Sequence, residues 1–317
     1  MSVKRLNDVL RLDKAEVSAL FAAFDASSKV LDFALITDNM SNTGYAVTTA
    51  SGRYLLKIYS NTTDKIETAV YRYLKGKINV PELLYYDDSR ARAPYVYAIF
   101  EYLEGDTLRH YVRTNRMFQA DTAREIGRMC GVIHCRNYRH DALLNGELTV
   151  QEPIPDTRER ILFLLEGKPR TYLRPETVKQ LRDFIWSNTE LFDRISAESI
   201  LCHGDFNMGN IMISGGNVYF IDFEFAYAGS RYHDIGQFFR KKGQDIQALI
   251  DKSVYDGFSA GYCAGAGQTL PQDWLRLARL CDIAPMLCLL DRDNIPADWG
   301  SDVEQDILRA IETDKKI

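Results

Sequence analysis

Two short segments of the chain carry residues whose types and spacing could do chemistry: His203-Gly204-Asp205-Phe206-Asn207-Met208-Gly209-Asn210 and Ile221-Asp222-Phe223-Glu224. Between them, Ile211-Met212-Ile213-Ser214 and Asn217-Val218-Tyr219-Phe220 are β-prone runs joined through Gly215-Gly216, a strong hairpin signal. With the turn centred on those glycines, Asn210 falls opposite Ile221. The amide oxygen of Asn210 and the carboxylate of Asp222 are then expected at one open end, with Asp205 on the loop feeding it. Mg²⁺ takes one or two carboxylates together with phosphate oxygens and water, rather than a full protein cage. Asp205, Asn210 and Asp222 together match that demand, and the acid that does not hold the metal can orient an attacking hydroxyl and accept its proton, as phosphoryl transfer requires. For any one of these residues a turn that merely caps local backbone is the rival reading; the combination favours the metal and the base. His203 reads as structural.

The elements that must position this cluster can be read from periodicity. Residues 4–25 suggest one or two short amphipathic helices, and strands are expected over 31–38, 45–49 and 53–59. A helix begins near Asp64, with Ile66, Val70, Tyr73 and Leu74 at helical spacing, and strands follow over 82–86 and 95–103. Beyond Gly105 the character changes to helix, over 121–136, 175–193 and 229 to about 312, with residues 199–223 as a β-rich island. The expected fold class is α+β, with two lobes: residues 1–103, β-rich, and residues 104–317, mainly helical. Gly261, Gly265 and Gly267 follow a helical stretch and read as a helix end, not a phosphate loop.

Composition narrows the class further. The chain has 317 residues, 46% hydrophobic and 26% charged, which is ordinary for a globular protein. A net charge of −5 disfavours a nucleic-acid partner and suits a cationic substrate. The six cysteines form no C-x-x-C pair and read as reduced, buried thiols. A zinc site on Cys130, His134 and Cys135 lacks a fourth ligand at normal spacing. No secretory leader pattern follows Met1, and no run approaches the roughly 18 apolar residues of a membrane span. The expectation is a cytoplasmic protein with no membrane partner, monomeric or dimeric.

The two segments resemble the catalytic signature of the aminoglycoside phosphotransferase and choline kinase-like family of small-molecule kinases. His203-Gly204-Asp205 with Asn210 is similar to the H-R-D-x₄-N loop of the related protein kinases, with Gly204 replacing arginine. Asp222-Phe223-Glu224 stands where those kinases have D-F-G. The resemblance implies a bilobal protein-kinase-like fold, with residues 1–103 as the nucleotide-binding lobe and residues 104–317 as the catalytic and acceptor-binding lobe, ATP or GTP as phosphoryl donor, Mg²⁺ held by Asn210 and Asp222, and Asp205 as the catalytic residue. It implies that Lys57, in the third strand, contacts the α and β phosphates and that Glu67 holds it. Residues 98–105, with Glu101 and Leu103, would form the hinge that receives the base, and Asp234 would brace the catalytic loop. The nucleotide loop over 39–44, with Ser41 and Asn42, lacks G-x-G-x-x-G, which points to the small-molecule branch.

The residues themselves agree. Lys57 lies in an apolar strand on one face with Leu55 and Tyr59, so it needs a partner or a ligand; the rival is an edge-strand lysine that blocks aggregation. Glu67 could close a capping box with Asp64, but it shares a face with Val70, Tyr71 and Leu74 that should point inward. The acceptor is expected beside Asp205, against Glu224, Asp234, Asp282, Asp291 and Asp293. That acidic set favours an aminoglycoside or another hydroxylated amine. Choline, ethanolamine, homoserine, a thio-sugar and a ketoamine sugar stay open, as does a role in antibiotic resistance or in metabolism. A catalytically silent kinase fold is the rival of another class; the intact set Lys57, Asp205, Asn210 and Asp222 argues against it.

Overall fold

The computed structural model describes residues 9–37, 42–241, 243–293 and 295–312. The nucleotide-loop residues 39–41, Ser41 among them, lie outside the described residues. The chain divides into two compact units: one is the chain up to Asp106 with Gly146–Leu148 and Met212–Phe225, the other is Thr107–Asn145, Thr149–Ile211 and the chain from Ala226.

In the first unit, α1 (Lys14–Phe24) precedes β1 (Val30–Ile36), β2 (Thr43–Thr49) and β3 (Arg53–Tyr59), followed by α2 (Asp64–Leu74), β4 (Leu83–Asp87), β5 (Val96–Glu101) and β6 (Gly105–Thr107). The second unit starts with α3 (Leu108–Asn115) and α4 (Ala120–Ile133) and continues through β7 (Asn137–Tyr138), β8 (Ala142–Leu144), β9 (Val150–Pro153), α5 (Thr157–Leu164), α6 (Pro175–Ser187), α7 (Thr189–Ile195) and β10 (Ser199–Cys202). Two strands, β11 (Ile211–Ser214) and β12 (Asn217–Phe220), return the chain to the first unit. The second is completed by β13 (Tyr227–Gly229), α8 (Arg231–Phe239), α9 (Gln244–Gln247), α10 (Lys252–Ala266), α11 (Trp274–Cys281), α12 (Ile283–Leu290) and α13 (Trp299–Glu312).

The first unit is built on a five-stranded antiparallel sheet in the order β1-β2-β3-β5-β4. Leu56 and Ile58 of β3 face a core shared with Val17, Leu20 and Phe21 of α1. Side chains alternate along a strand, so Lys57 and Tyr59 turn to the opposite side, where Glu67 of α2 meets Lys57. Both faces of β3 are covered, and its later residues show no alternation of burial. α1 starts at a capping box: Asp13 Oδ1 accepts from the Glu16 N–H at 2.9 Å and Glu16 Oε2 accepts from the Asp13 N–H at 2.8 Å.

A three-stranded sheet, β12-β11-β6, holds the hairpin expected from sequence. Gly215 and Gly216 take φ of +55° and +80°, the left-handed pair that a two-residue turn between right-twisting strands requires.

The second unit is not purely helical around one island. Its five-stranded sheet, β7-β10-β13-β8-β9, is assembled from strands too short to carry a period-2 signal, so residues 137–153 showed no strand pattern. Its dominant helix contact is α4 against α10. Gly257, Gly261 and Gly265 recur one turn apart on α10; a Cβ at Gly261 would stand 1.8 Å from the Arg124 carbonyl oxygen, and one at Gly265 would stand 2.0 Å from that of Arg128. Gly127 and Gly131 of α4 make reciprocal approaches to α10. Only Gly267, left-handed at φ +69° with its N–H on the Cys263 carbonyl at 3.0 Å, is the helix end read from sequence. Gly261 and Gly265 let two main chains touch. Among the described residues, no helix is long and apolar enough to cross a membrane.

Candidate active site

Lys57 is 8% exposed, and its Nζ lies 2.7 Å from Glu67 Oε1 and 2.8 Å from Asp222 Oδ1. β3 is flanked by β2 and β5, so the edge-strand reading of Lys57 does not hold. The capping box proposed for Glu67 does not form either. The α2 cap is Thr63, without a side-chain hydrogen bond, and the Asp64 carboxylate accepts from the Tyr86 hydroxyl. Glu67 turns inward because its helix face continues through Val70, Tyr71 and Leu74, all buried. Burial alone would pull the Lys57 ammonium down, but Asp222 and Glu67 more than offset it and hold it well above the ordinary lysine value. Lys57 therefore stays an ammonium, paired with two carboxylates.

Asp222 takes φ +66°, a left-handed conformation that a non-glycine residue adopts only when its surroundings hold it there. Its N–H donates to Tyr71 Oη at 3.0 Å. Phe223, fully buried, packs edge-to-face on the Tyr71 ring at 5.2 Å. The Tyr71 hydroxyl was missed in the sequence, where Tyr71 figured only as an inward-facing residue. A polar tip one turn after Glu67 on the same face was the available signal.

Asn42, 5% exposed, donates to Glu224 Oε2 at 2.6 Å and accepts the Ser60 N–H at 3.1 Å. Glu224 is 4% exposed and also meets the Thr63 hydroxyl at 3.5 Å, so this acid is engaged inside the first unit. Glu101 ends β5; its carboxylate accepts the Glu82 N–H at 3.2 Å, and its own N–H donates to the Glu82 carbonyl at 2.9 Å. Leu103 is buried just beyond it. Arg53 lies 4.1 Å over the Tyr102 ring and 2.6 Å from Glu104.

In the second unit, β10 delivers the chain into the loop of Asp205. Asn210 Nδ2 donates to the Asp205 carboxylate at 2.8 Å and to its carbonyl at 2.9 Å, and Asn207 Nδ2 makes the same two contacts at 3.0 and 3.2 Å. The Asn210 amide nitrogen thus faces Asp205, and its oxygen is turned to the other side. The loop main chain is held by α8. Asp234 accepts the His203 N–H at 2.7 Å and the Gly204 N–H at 3.0 Å; Gln237 accepts the Phe206 N–H at 2.8 Å. Gly204 sits at φ +83°, where arginine would be strained.

The sequence suggests two places for Asp234, a brace of the loop and a wall of the acceptor site. Asp234 is 1% exposed and pairs with His134 Nε2 at 3.1 Å, so it braces the loop and does not line an acceptor wall. Burial would raise its carboxyl, but the His134 hydrogen bond holds it below the ordinary range, while burial pushes His134 down. The pair is therefore a carboxylate and a neutral imidazole that accepts the Tyr262 hydroxyl at 3.0 Å on Nδ1. This occupies both ring nitrogens, and Cys135 Sγ turns to the Gly131 carbonyl. Among the described residues, no three His, Cys, Asp or Glu side chains converge as a metal cluster.

Asp234→Ala strands two loop N–H groups and His134, and is expected to destabilise the protein by about 3–5 kcal/mol, measurable by urea denaturation. The wild-type protein should also lose stability as pH falls below 6.5. The unfolded chain protonates His134 and His233 first, because burial depresses both in the folded state.

Asp282, 3% exposed, is gripped by Arg240 at 2.6 and 2.7 Å, and Asp293 by Lys168 at 2.9 Å. Asp291 is exposed at the end of α12 and forms no ion pair among the described residues.

The sequence model of the phosphotransferase enzyme family (APH) matches residues 32–280. Among solved structures, a thermostable mutant of aminoglycoside phosphotransferase APH(4)-Ia, in ternary complex with ADP and hygromycin B, superposes with a TM-score of 0.66 at 15% identity, covering 95% of this chain and 100% of that one. Choline kinase from Cryptosporidium parvum gives 0.61 at 14%, covering 94% and 96%. The GDP and kanamycin complex of APH(2")-IIia gives 0.62 at 13%, covering 94% and 99%. At these identities the likeness is one of fold. No curated protein matches the chain. The matched family and the fold make this a small-molecule kinase of protein-kinase-like architecture. The chain belongs to the phosphotransferase enzyme family.

Proposed function

We propose that this kinase moves the γ-phosphoryl group of ATP or GTP, bound with Mg²⁺, to a hydroxyl of a small molecule. The observation that carries the proposal is the buried Lys57 held by Glu67 at 2.7 Å and Asp222 at 2.8 Å, a fixed cation shaped for phosphate oxygens. The donor set suits a hard cation: Asp222 offers a carboxylate, and Asn210 offers the amide oxygen left over once its nitrogen bonds Asp205. Asn210 and Asp222 would hold Mg²⁺, which neutralises phosphate charge when bound. Lys57 binds the α and β phosphates. Asp205 orients the acceptor hydroxyl and takes its proton. Positioning and charge neutralisation carry the catalysis. Asn42, Glu101 and Leu103 are assigned to nucleotide binding, the role the resemblance also implies for Ser41.

The neighbours crystallised with ADP and with GDP support a nucleotide donor and keep both purines in view. Those crystallised with hygromycin B and kanamycin favour an aminoglycoside or another hydroxylated amine as acceptor. With Glu224 and Asp234 engaged inside the protein, Asp291 is the acid assigned to an acceptor amine. The free cysteines suit a reducing cytoplasm.

The test is a phosphoryl-transfer screen with ATP and GTP across amino sugars, choline, ethanolamine, homoserine and ketoamine sugars. Transfer to at least one acceptor is expected. A blank panel together with no Mg²⁺-dependent nucleotide binding would sink the proposal. Asp222→Ala is expected to abolish Mg²⁺-dependent nucleotide binding in calorimetry while the protein stays folded.

A further inference from the structure

We propose that Tyr71 is a positioning residue for the metal ligand: its hydroxyl holds the Asp222 main chain in the left-handed conformation and ties that conformation to α2. The proposal rests on the reading of Asp222 as a Mg²⁺ ligand. Tyr71 is 5% exposed, and its ring is fixed by Phe100 at 4.9 Å and Phe223 at 5.2 Å. Its oxygen accepts the Asp222 N–H at 3.0 Å. At φ +66° the Asp222 backbone is unfavourable on its own, and relaxation to negative φ would swing the carboxylate away from Lys57. The hydroxyl supplies a partner for an N–H group that this conformation directs at α2, and the same ring anchors the next residue, Phe223. Two consecutive residues are thereby referenced to one side chain.

Glu67 lies one turn before Tyr71 on the same face of α2. One helix face therefore holds the partner of Lys57 and the backbone of Asp222 together. A displacement of α2 would loosen the cation and the metal ligand in a single movement.

Tyr71→Phe keeps the ring and its contacts and removes only the hydroxyl. The expected result is a thermal midpoint close to wild type and a Mg²⁺ requirement for nucleotide binding raised about 10-fold or more, as for other losses of a group that orients a metal ligand. Turnover recovers when Mg²⁺ is raised. An unchanged Mg²⁺ dependence overturns the proposal, whether or not the midpoint falls, because a purely structural Tyr71 would move stability alone. Asp222→Ala serves as the separate arm. If that variant still binds nucleotide in a Mg²⁺-dependent way, the metal-ligand reading fails, and this proposal with it. If it does not, while Tyr71→Phe matches wild type, only the positioning role fails.

Discussion

Asp205→Ala is expected to lower turnover by about 10²-fold or more, within the range of general-base losses, with Mg²⁺-nucleotide affinity little changed. The local geometry makes this a clean substitution. The Asp205 carboxylate accepts from Asn210 at 2.8 Å and Asn207 at 3.0 Å, but both amides also bond its carbonyl, at 2.9 and 3.2 Å. Those main-chain contacts survive the change. So do the anchors from Asp234 to the N–H groups of His203 and Gly204, and from Gln237 to that of Phe206. The loop should keep its course while losing its base. Steady-state rates with the acceptor found by screening, beside calorimetric nucleotide affinity, decide the matter. Near-normal turnover in the variant would remove Asp205 from the chemistry.

Gly261→Ala is expected to be the most damaging single-methyl change in the helical unit. Its Cβ would meet the Arg124 carbonyl oxygen at 1.8 Å and the carbonyl carbon at 2.7 Å. These are main-chain atoms of α4 and cannot rotate aside, so the helices must part. Overpacking against yielding side chains costs about 1–3 kcal/mol; here about 3 kcal/mol or more is expected, read as a fall in the urea midpoint. The harm should also reach the reaction. His134, which caps α4, accepts the Tyr262 hydroxyl of α10 and donates to Asp234, so parting the helices would loosen the brace of the Asp205 loop. Gly267→Ala is the control. It meets nothing within 4 Å and carries only the strain of φ +69°, about 1 kcal/mol. Equal effects at the two positions would refute the close-crossing account.

The legible parts of this protein were those encoded locally. Gly215-Gly216 between two apolar runs predicts a hairpin because few other residues tolerate two consecutive positive φ values. Lys57 in an apolar strand announces a buried partner because an unpaired ammonium there is too costly. The rivals for Glu67 needed three dimensions: the cap and the inward face draw on the same residue, and only packing on β3 decides between them. Strands such as β7 were invisible because two residues carry no period. The acceptor acids could not be sorted by sequence, since engagement of Asp282 by Arg240 or of Asp234 by His134 joins residues far apart in the chain. The hydroxyl of Tyr71 was hidden in plain sight, because an apolar helix face accounts for the ring without the oxygen.

The glycine-lined crossing of α4 and α10 has a mechanical meaning as well as an energetic one. Packed helices slide past each other in small steps when the side chains between them change rotamer, which gives most helix pairs some compliance. Where Gly127, Gly131, Gly257, Gly261 and Gly265 bring backbone against backbone, there is no such cushioning layer. Such a crossing should slide less than one cushioned by side chains, and His134 and Tyr262 meet across it. Through His134 and Asp234 the Asp205 loop takes its brace from that crossing.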